Sequence, residues 1–123
     1  MKTEINNNRK IYSIQEEFHS LFPYLRIEFY AKPSKEGGPQ SEKIVEKSSK
    51  TIGDCRTNHN DGFMSISPNL TVAELESTFT DVYGLKVIIY RKSGKSWLET
   101  TVTNGWILEE QNRQGELLSK EVA

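Results

Sequence analysis

Residues 71–91 read TVAELESTFTDVYGLKVIIYR, and this stretch decides the fold. Thr71-Val72-Ala73-Glu74 is a capping box: the threonine hydroxyl accepts from the third helical amide while the glutamate carboxylate reaches back to the cap amide. Leu70 and Leu75 flank the cap as a hydrophobic staple, and Val72, Leu75, Phe79 and Val82 share one helical stripe. Gly84 provides the left-handed residue on which such a helix ends. The segment from Leu85 to Arg91 is a strand in which Leu85, Val87 and Ile89 point one way and Lys86, Ile88 and Tyr90 the other. A one-sided helix running directly into a strand with an apolar side specifies a helix layer on a sheet layer.

The same logic extends outward. Ser93-Gly94-Lys95 turns the strand, and Trp97 to Thr103 returns as its hairpin partner. Asn104-Gly105 breaks that partner, Trp106 to Arg113 forms a short last helix, and Gly115 separates it from a polar tail. Upstream, Ser13-Ile14-Gln15-Glu16 is a second capping box, with Ile14, Phe18 and Leu21 on one stripe and Pro23 ending the helix. Leu25, Ile27 and Phe29 then alternate with Arg26, Glu28 and Tyr30 as a strand. Lys50–Arg56 and Gly62–Ser67 read as two more strands around a polar turn, the first an edge strand, and 42–47 allows a short helical stretch. The element order is α-β-β-β-α-β-β-α. It defines an α+β, two-layer sandwich: a mostly antiparallel four- to five-stranded sheet with two main helices on one face. The expected organisation is a flexible lead over 1–10, a single domain over 11–113 with a mobile loop at 31–42, and a polar tail over 114–123.

Composition narrows the function classes. The chain has 123 residues, 27% of them charged and 35% apolar, and its twelve aromatics argue against disorder. Sixteen basic and seventeen acidic residues leave a net charge of −1, which gives no support to a surface built throughout for nucleic acid or anionic lipid. One cysteine makes no internal disulfide, and no apolar run reaches the roughly 18 residues that cross a bilayer. The expectation is a cytoplasmic protein without membrane association.

Four constellations bear on chemistry. Cys55 is followed by His59 and Asp61, with Arg56 adjacent, so Cys55 with His59 or His19 as base is the sequence's one candidate for a cysteine-dependent enzyme. The plainer reading makes Cys55 a small apolar residue beside a polar turn, because catalytic partners converge from distant segments and nothing nearby marks an oxyanion hole. As metal ligands, Cys55, His59 and Asp61 fall short of the usual zinc set, so neither a metal nor another cofactor is expected. Gly94-Lys95-Ser96 lacks the upstream glycine of a phosphate loop, since position 89 is Ile, and it lies between two strands. Lys86, Arg91, Lys92 and Lys95, interleaved with Tyr90 and Trp97, offer charge and rings to a nucleic acid; lysines at a hairpin tip equally discourage edge aggregation.

The packing pattern reaches further than these motifs. Strict alternation sends Arg26, Glu28, Tyr30, Lys86, Ile88 and Tyr90 to the sheet face opposite the helices, and register decides whether Phe63 or Met64, and Trp97 or Leu98, join them; Trp97 is the residue expected there. That face is too apolar to be simply wetted and too polar for a closed core, the composition of an interface centre. Either the last helix folds back over it with Trp106, Ile107, Leu117 and Leu118, or a protein partner does, most simply a second copy in a homodimer. The leading expectation is therefore a non-enzymatic interaction module, with the cysteine enzyme and the nucleic-acid binder as alternatives.

Overall fold

A computed structural model describes residues 1–30 and 49–120. The elements in chain order are β1 (Lys2–Ile5), α1 (Ile11–Leu21), β2 (Leu25–Phe29), a 3-10 helix (Ile52–Cys55), β3 (Gly62–Ser65), α2 (Val72–Tyr83), β4 (Val87–Ser93), β5 (Ser96–Glu99) and α3 (Leu108–Lys120). The fold is mixed α+β, as the sequence leads one to expect, but its strands form two antiparallel sheets, β1–β3 and β2–β4–β5.

The 71–91 stretch behaves as its local signals dictate. Thr71 Oγ1 accepts from the Glu74 amide at 3.1 Å while the Glu74 carboxylate takes the Thr71 hydroxyl at 2.9 Å. Gly84 sits at φ 65°, and the Gly84 and Leu85 amides close the helix on the Thr80 and Phe79 carbonyls. A β-carbon at Gly84 would also collide with the Asn58 side chain, so this position excludes other residues twice over. One stripe residue differs: Val82 is exposed, and Tyr83 is buried in its place. At about 100° per residue Tyr83 falls in line with Val72 and Phe79, and its hydroxyl reaches the Phe63 carbonyl at 3.4 Å.

β4 then pairs on one side with β2, Ile27 opposite Ile89 and Phe29 opposite Val87, and on the other with β5 through the Gly94-Lys95 turn. Leu25, Ile27, Phe29, Leu85, Val87 and Ile89 are all buried against Ile14 and Phe18 of α1, Leu75 and Phe79 of α2, and Leu108 of α3. The rings of Phe29 and Phe79 meet edge to face at 5.6 Å, joining sheet to helix at the centre of the core.

Elsewhere tertiary contacts overrule local signals. The expected frayed lead is instead strand β1, with Thr3 opposite Met64, Thr3 and Ile5 buried, and the terminal ammonium donating to the Ile66 carbonyl. Ser13 does not cap α1; the helix starts at Ile11, whose amide donates to the Lys50 carbonyl, and Ser13 accepts from Arg9. The 50–56 segment is not an edge strand. A bridge from Thr51 to Lys10 leads into the 3-10 helix, which Thr51 and Asp54 close with a capping box of their own. β5 stops at Glu99 rather than at Thr103. The expected mobile loop at 31–42 and the helical stretch at 42–47 lie outside the described residues.

The largest revision is at the C-terminal end. Gly115 does not interrupt the chain; α3 runs through it to Lys120, so 114–120 is helix rather than tail. Gly115 is buried where α3 crosses Tyr24 and Arg91, and a β-carbon there would stand 2.9 Å from Tyr24 Cβ and 3.1 Å from Arg91 Cγ. Close approach, not helix breaking, is the role of this glycine. Gly115→Val is expected to lower unfolding free energy by about 2 kcal/mol through overpacking. Urea unfolding checks it, and an unchanged midpoint would contradict the crossing.

Candidate interaction surface

α3 settles which face of the three-stranded sheet is left to other contacts. Register places Arg91 opposite Leu25, on the helix side, and α3 meets it there: Arg91 Nη1 donates to Gln111 Oε1 at 3.1 Å and its guanidinium lies 5.6 Å from the Trp106 ring. Trp106 and Leu117 remain exposed rather than folding over the opposite face. Gln111, fully buried, is satisfied by donating to the carbonyl and hydroxyl of Thr103, which fixes the 100–107 connection to α3.

The opposite face carries Arg26 and Glu28 from β2, Ile88, Tyr90 and Lys92 from β4, and Trp97 and Glu99 from β5, because these positions alternate with the core-facing ones. Tyr30 and Lys86 continue it just past the strand ends. Arg26, Tyr30, Lys86, Ile88, Tyr90 and Trp97 thus share one surface, in two clusters. In one, the Tyr30 and Tyr90 hydroxyls are 3.2 Å apart and Lys86 Nζ lies 5.6 Å from the Tyr30 ring. In the other, the Arg26 guanidinium lies 5.8 Å from the Trp97 ring, which also meets the His19 ring at 6.5 Å. Ile88 and Tyr90 are half-buried, neither core nor freely wetted. Burial and the Tyr30 hydroxyl, with Glu99 and Glu28 nearby, hold the Tyr90 phenol above its ordinary range, so the face presents a neutral donor.

A carboxylate that alternation places on this face, but whose burial the sequence does not signal, organises the second cluster. Glu28 is only 6% exposed although it belongs to the outer face. Arg26 Nε ion-pairs with one of its oxygens and Gln15 Nε2 approaches the other at 3.4 Å. The same Gln15 amide donates to the Ile27 carbonyl at 2.9 Å, and His19 donates from Nδ1 to the Leu25 carbonyl at 3.1 Å. Two side chains of α1 therefore occupy the outward carbonyls of β2 and close that edge of the sheet.

The remaining candidates are dispersed. Cys55 is buried in the core cluster, where a thiol packs as a small hydrophobe. His59 is exposed and accepts at Nδ1 from the Asn7 side-chain amide; His19 is held at the edge of β2. Among the described residues, no group of three His, Cys, Asp or Glu side chains is placed to hold a metal. Of the four basic residues offered to nucleic acid, Arg91 faces the helices, while Lys92 lies opposite Trp97 on the outer face and Lys95 sits in the β4–β5 turn. The least foreseeable residue is Arg56, whose side chain is fully buried. It donates to Asn7 Oδ1 at 2.9 Å, to the Asn60 carbonyl at 2.7 Å and to the Tyr83 carbonyl at 3.1 Å, and so ties the β1–α1 connection and the 56–61 turn to the C-terminus of α2. A lone arginine beside a cysteine in a polar turn carries no sequence signal of such a role.

No protein-family model, curated protein or solved structure matches this chain. Among the described residues, no helix is long and apolar enough to cross a membrane.

Proposed function

We propose that this protein is a non-catalytic interaction module of the cytoplasm that associates with itself through the outer face of its three-stranded sheet. The observation that supports the reading is the two-sidedness of β4: Val87 and Ile89 are in the core, and Ile88 and Tyr90 form an aromatic and aliphatic patch on a face that the last helix does not cover. Half-buried rings bracketed by Arg26 and Lys86 have the composition of an interface centre, where aromatic and arginine side chains dominate binding.

Sedimentation equilibrium over about 1–300 µM tests the proposal, a range set by the weak dimers that small interfaces give. The wild-type chain is expected to pass from monomer to dimer, and the Ile88→Ser/Tyr90→Ser double variant to remain monomeric over the same range. Circular dichroism establishes that the variant is folded. A wild-type chain that stays monomeric throughout contradicts self-association. Salt-dependent binding of a single-stranded oligonucleotide by that monomer would assign the face to nucleic acid instead.

A further inference from the structure

The connection between β5 and α3 carries the dipeptide Asn104-Gly105 at a point where its main chain serves α2. The Trp106 amide donates to the Thr103 carbonyl at 2.9 Å, so 103–106 is a turn with Asn104 and Gly105 at its two central positions. The carbonyls of Asn104 and Trp106 accept from the Ala73 and Val72 amides at 2.8 and 3.1 Å. This turn therefore satisfies the first two donors of α2, while Thr71 Oγ1 satisfies the third. Two groups stay outside the scheme. Among the described residues, neither the Asn104 carboxamide nor the Gly105 amide makes a hydrogen bond. Gly105 is exposed, and nothing stands within 4 Å of where its β-carbon would be. Other asparagines are held by their side chains: Asn7 between Arg56 and His59, Asn60 on the Val82 carbonyl, and Asn112 under the Tyr24 amide.

We propose that Asn104 is a site of spontaneous covalent modification, with water as its only co-reactant. The Gly105 nitrogen attacks Asn104 Cγ and forms a C–N bond. The carboxamide nitrogen leaves as ammonia, carrying the Gly105 amide proton, and a five-membered succinimide closes. Water then opens the ring at one of its two carbonyls, and nothing is oxidised or reduced. Opening at Cγ gives aspartate. Opening at the former main-chain carbonyl gives isoaspartate, in which the chain runs through Cγ, one methylene longer, and the old carbonyl carbon becomes a free carboxylate. Attacking and attacked groups are both unengaged, and glycine has no side chain to shield its nitrogen. Closure needs only a local opening that frees the Asn104 carbonyl from Ala73, within an exposed turn. The products suit the place as well. Aspartate sets a carboxylate on the residue whose carbonyl the Ala73 amide holds, and isoaspartate sets it on that carbonyl carbon itself. Either way the new charge lies at the N-terminus of α2, where the helix dipole favours it. The open space at Gly105 takes up the added methylene.

Ageing of the intact chain at mildly alkaline pH tests the proposal, read by proteolysis, chromatographic separation of aspartyl from isoaspartyl peptides, and mass spectrometry. The peptide spanning Asn104 is expected to convert from amide to acid, in both forms, before the peptides that carry Asn7, Asn60 and Asn112. Gly105→Ala has room for its methyl group and a φ outside the left-handed region, so the variant keeps the fold. That methyl screens the attacking nitrogen and is expected to slow conversion at least about tenfold. A parallel sample in urea separates the fold from the dipeptide: the folded chain is expected to convert within about tenfold of the unfolded one, as an exposed turn that opens locally allows. An Asn104 that stays intact in the folded chain while the urea sample converts overturns the proposal. A Gly105→Ala variant that converts as fast as the wild type overturns it as well.

Discussion

Arg56→Met is expected to lower the unfolding free energy by about 3 kcal/mol, with the chain still folding at room temperature. The side chain is fully buried and donates to Asn7 Oδ1 and to the carbonyls of Asn60 and Tyr83, with Asp61 Oδ1 at 3.3 Å as its carboxylate partner. Methionine fills much of the volume and makes none of these bonds. The Tyr83 carbonyl at the C-terminal end of α2 then loses both its donor and the favourable charge at that end of the helix dipole. The Tyr83 carbonyl is left unsatisfied in the interior, which costs about 1–3 kcal/mol, and the loss of the part-buried bonds to Asn7 and Asn60 adds to it, so the total outweighs the apolar gain. Arg56→Lys recovers only part, because an ammonium cannot span three acceptors spread across a planar fork. Guanidinium unfolding of the three proteins provides the measurement, and a Met variant within about 0.5 kcal/mol of wild type, the range of ordinary surface changes, would contradict the hub.

Phe79→Ala is expected to cost more, about 3–5 kcal/mol. Phe79 has no exposed surface, and its ring meets Phe29 edge to face, so truncation opens a cavity between α2 and β2 where Ile27 and Val87 have backbones fixed by the ladder. A smaller substitution at the same site separates volume from the aromatic contact: Phe79→Leu is expected to cost about half as much. Thermal and urea unfolding of both variants decide it. A Phe79→Ala cost near that of a surface change would show that the helix-to-sheet packing at the centre of the core is misplaced.

Both predictions illustrate what local reading of a chain reaches. Cap, stripe and terminal glycine of α2 and the alternation of β2 and β4 involve residues within one or two turns or strand steps of each other, so Thr71, Gly84, Ile27 and Ile89 carry their roles in their immediate neighbours. The outer-face cluster of Arg26, Tyr30, Lys86, Ile88, Tyr90 and Trp97 was legible for the same reason, as the other half of that alternation. Where partners are distant the signal fades. β1 pairs with a strand about sixty residues on, and an Asn-rich lead gives no hint of Thr3 facing Met64. Ser13 has every feature of a cap, but the Lys50 carbonyl already engages the Ile11 amide at the start of α1. Gly115 reads as a helix breaker until Tyr24 and Arg91 are seen against it. Arg56 and Glu28 are charged residues whose burial depends on partners outside their own segments: Asn7, Asn60 and Tyr83 accept from Arg56, while Gln15 of α1 joins Arg26 of the same strand on Glu28.

The self-association of the outer face is read most directly by the sedimentation of the wild-type chain as its concentration rises. A reversible shift from 123-residue monomer toward twice that mass, abolished by serine at positions 88 and 90, is the predicted result. A single species of monomer mass at every concentration, indifferent to those substitutions, would contradict it.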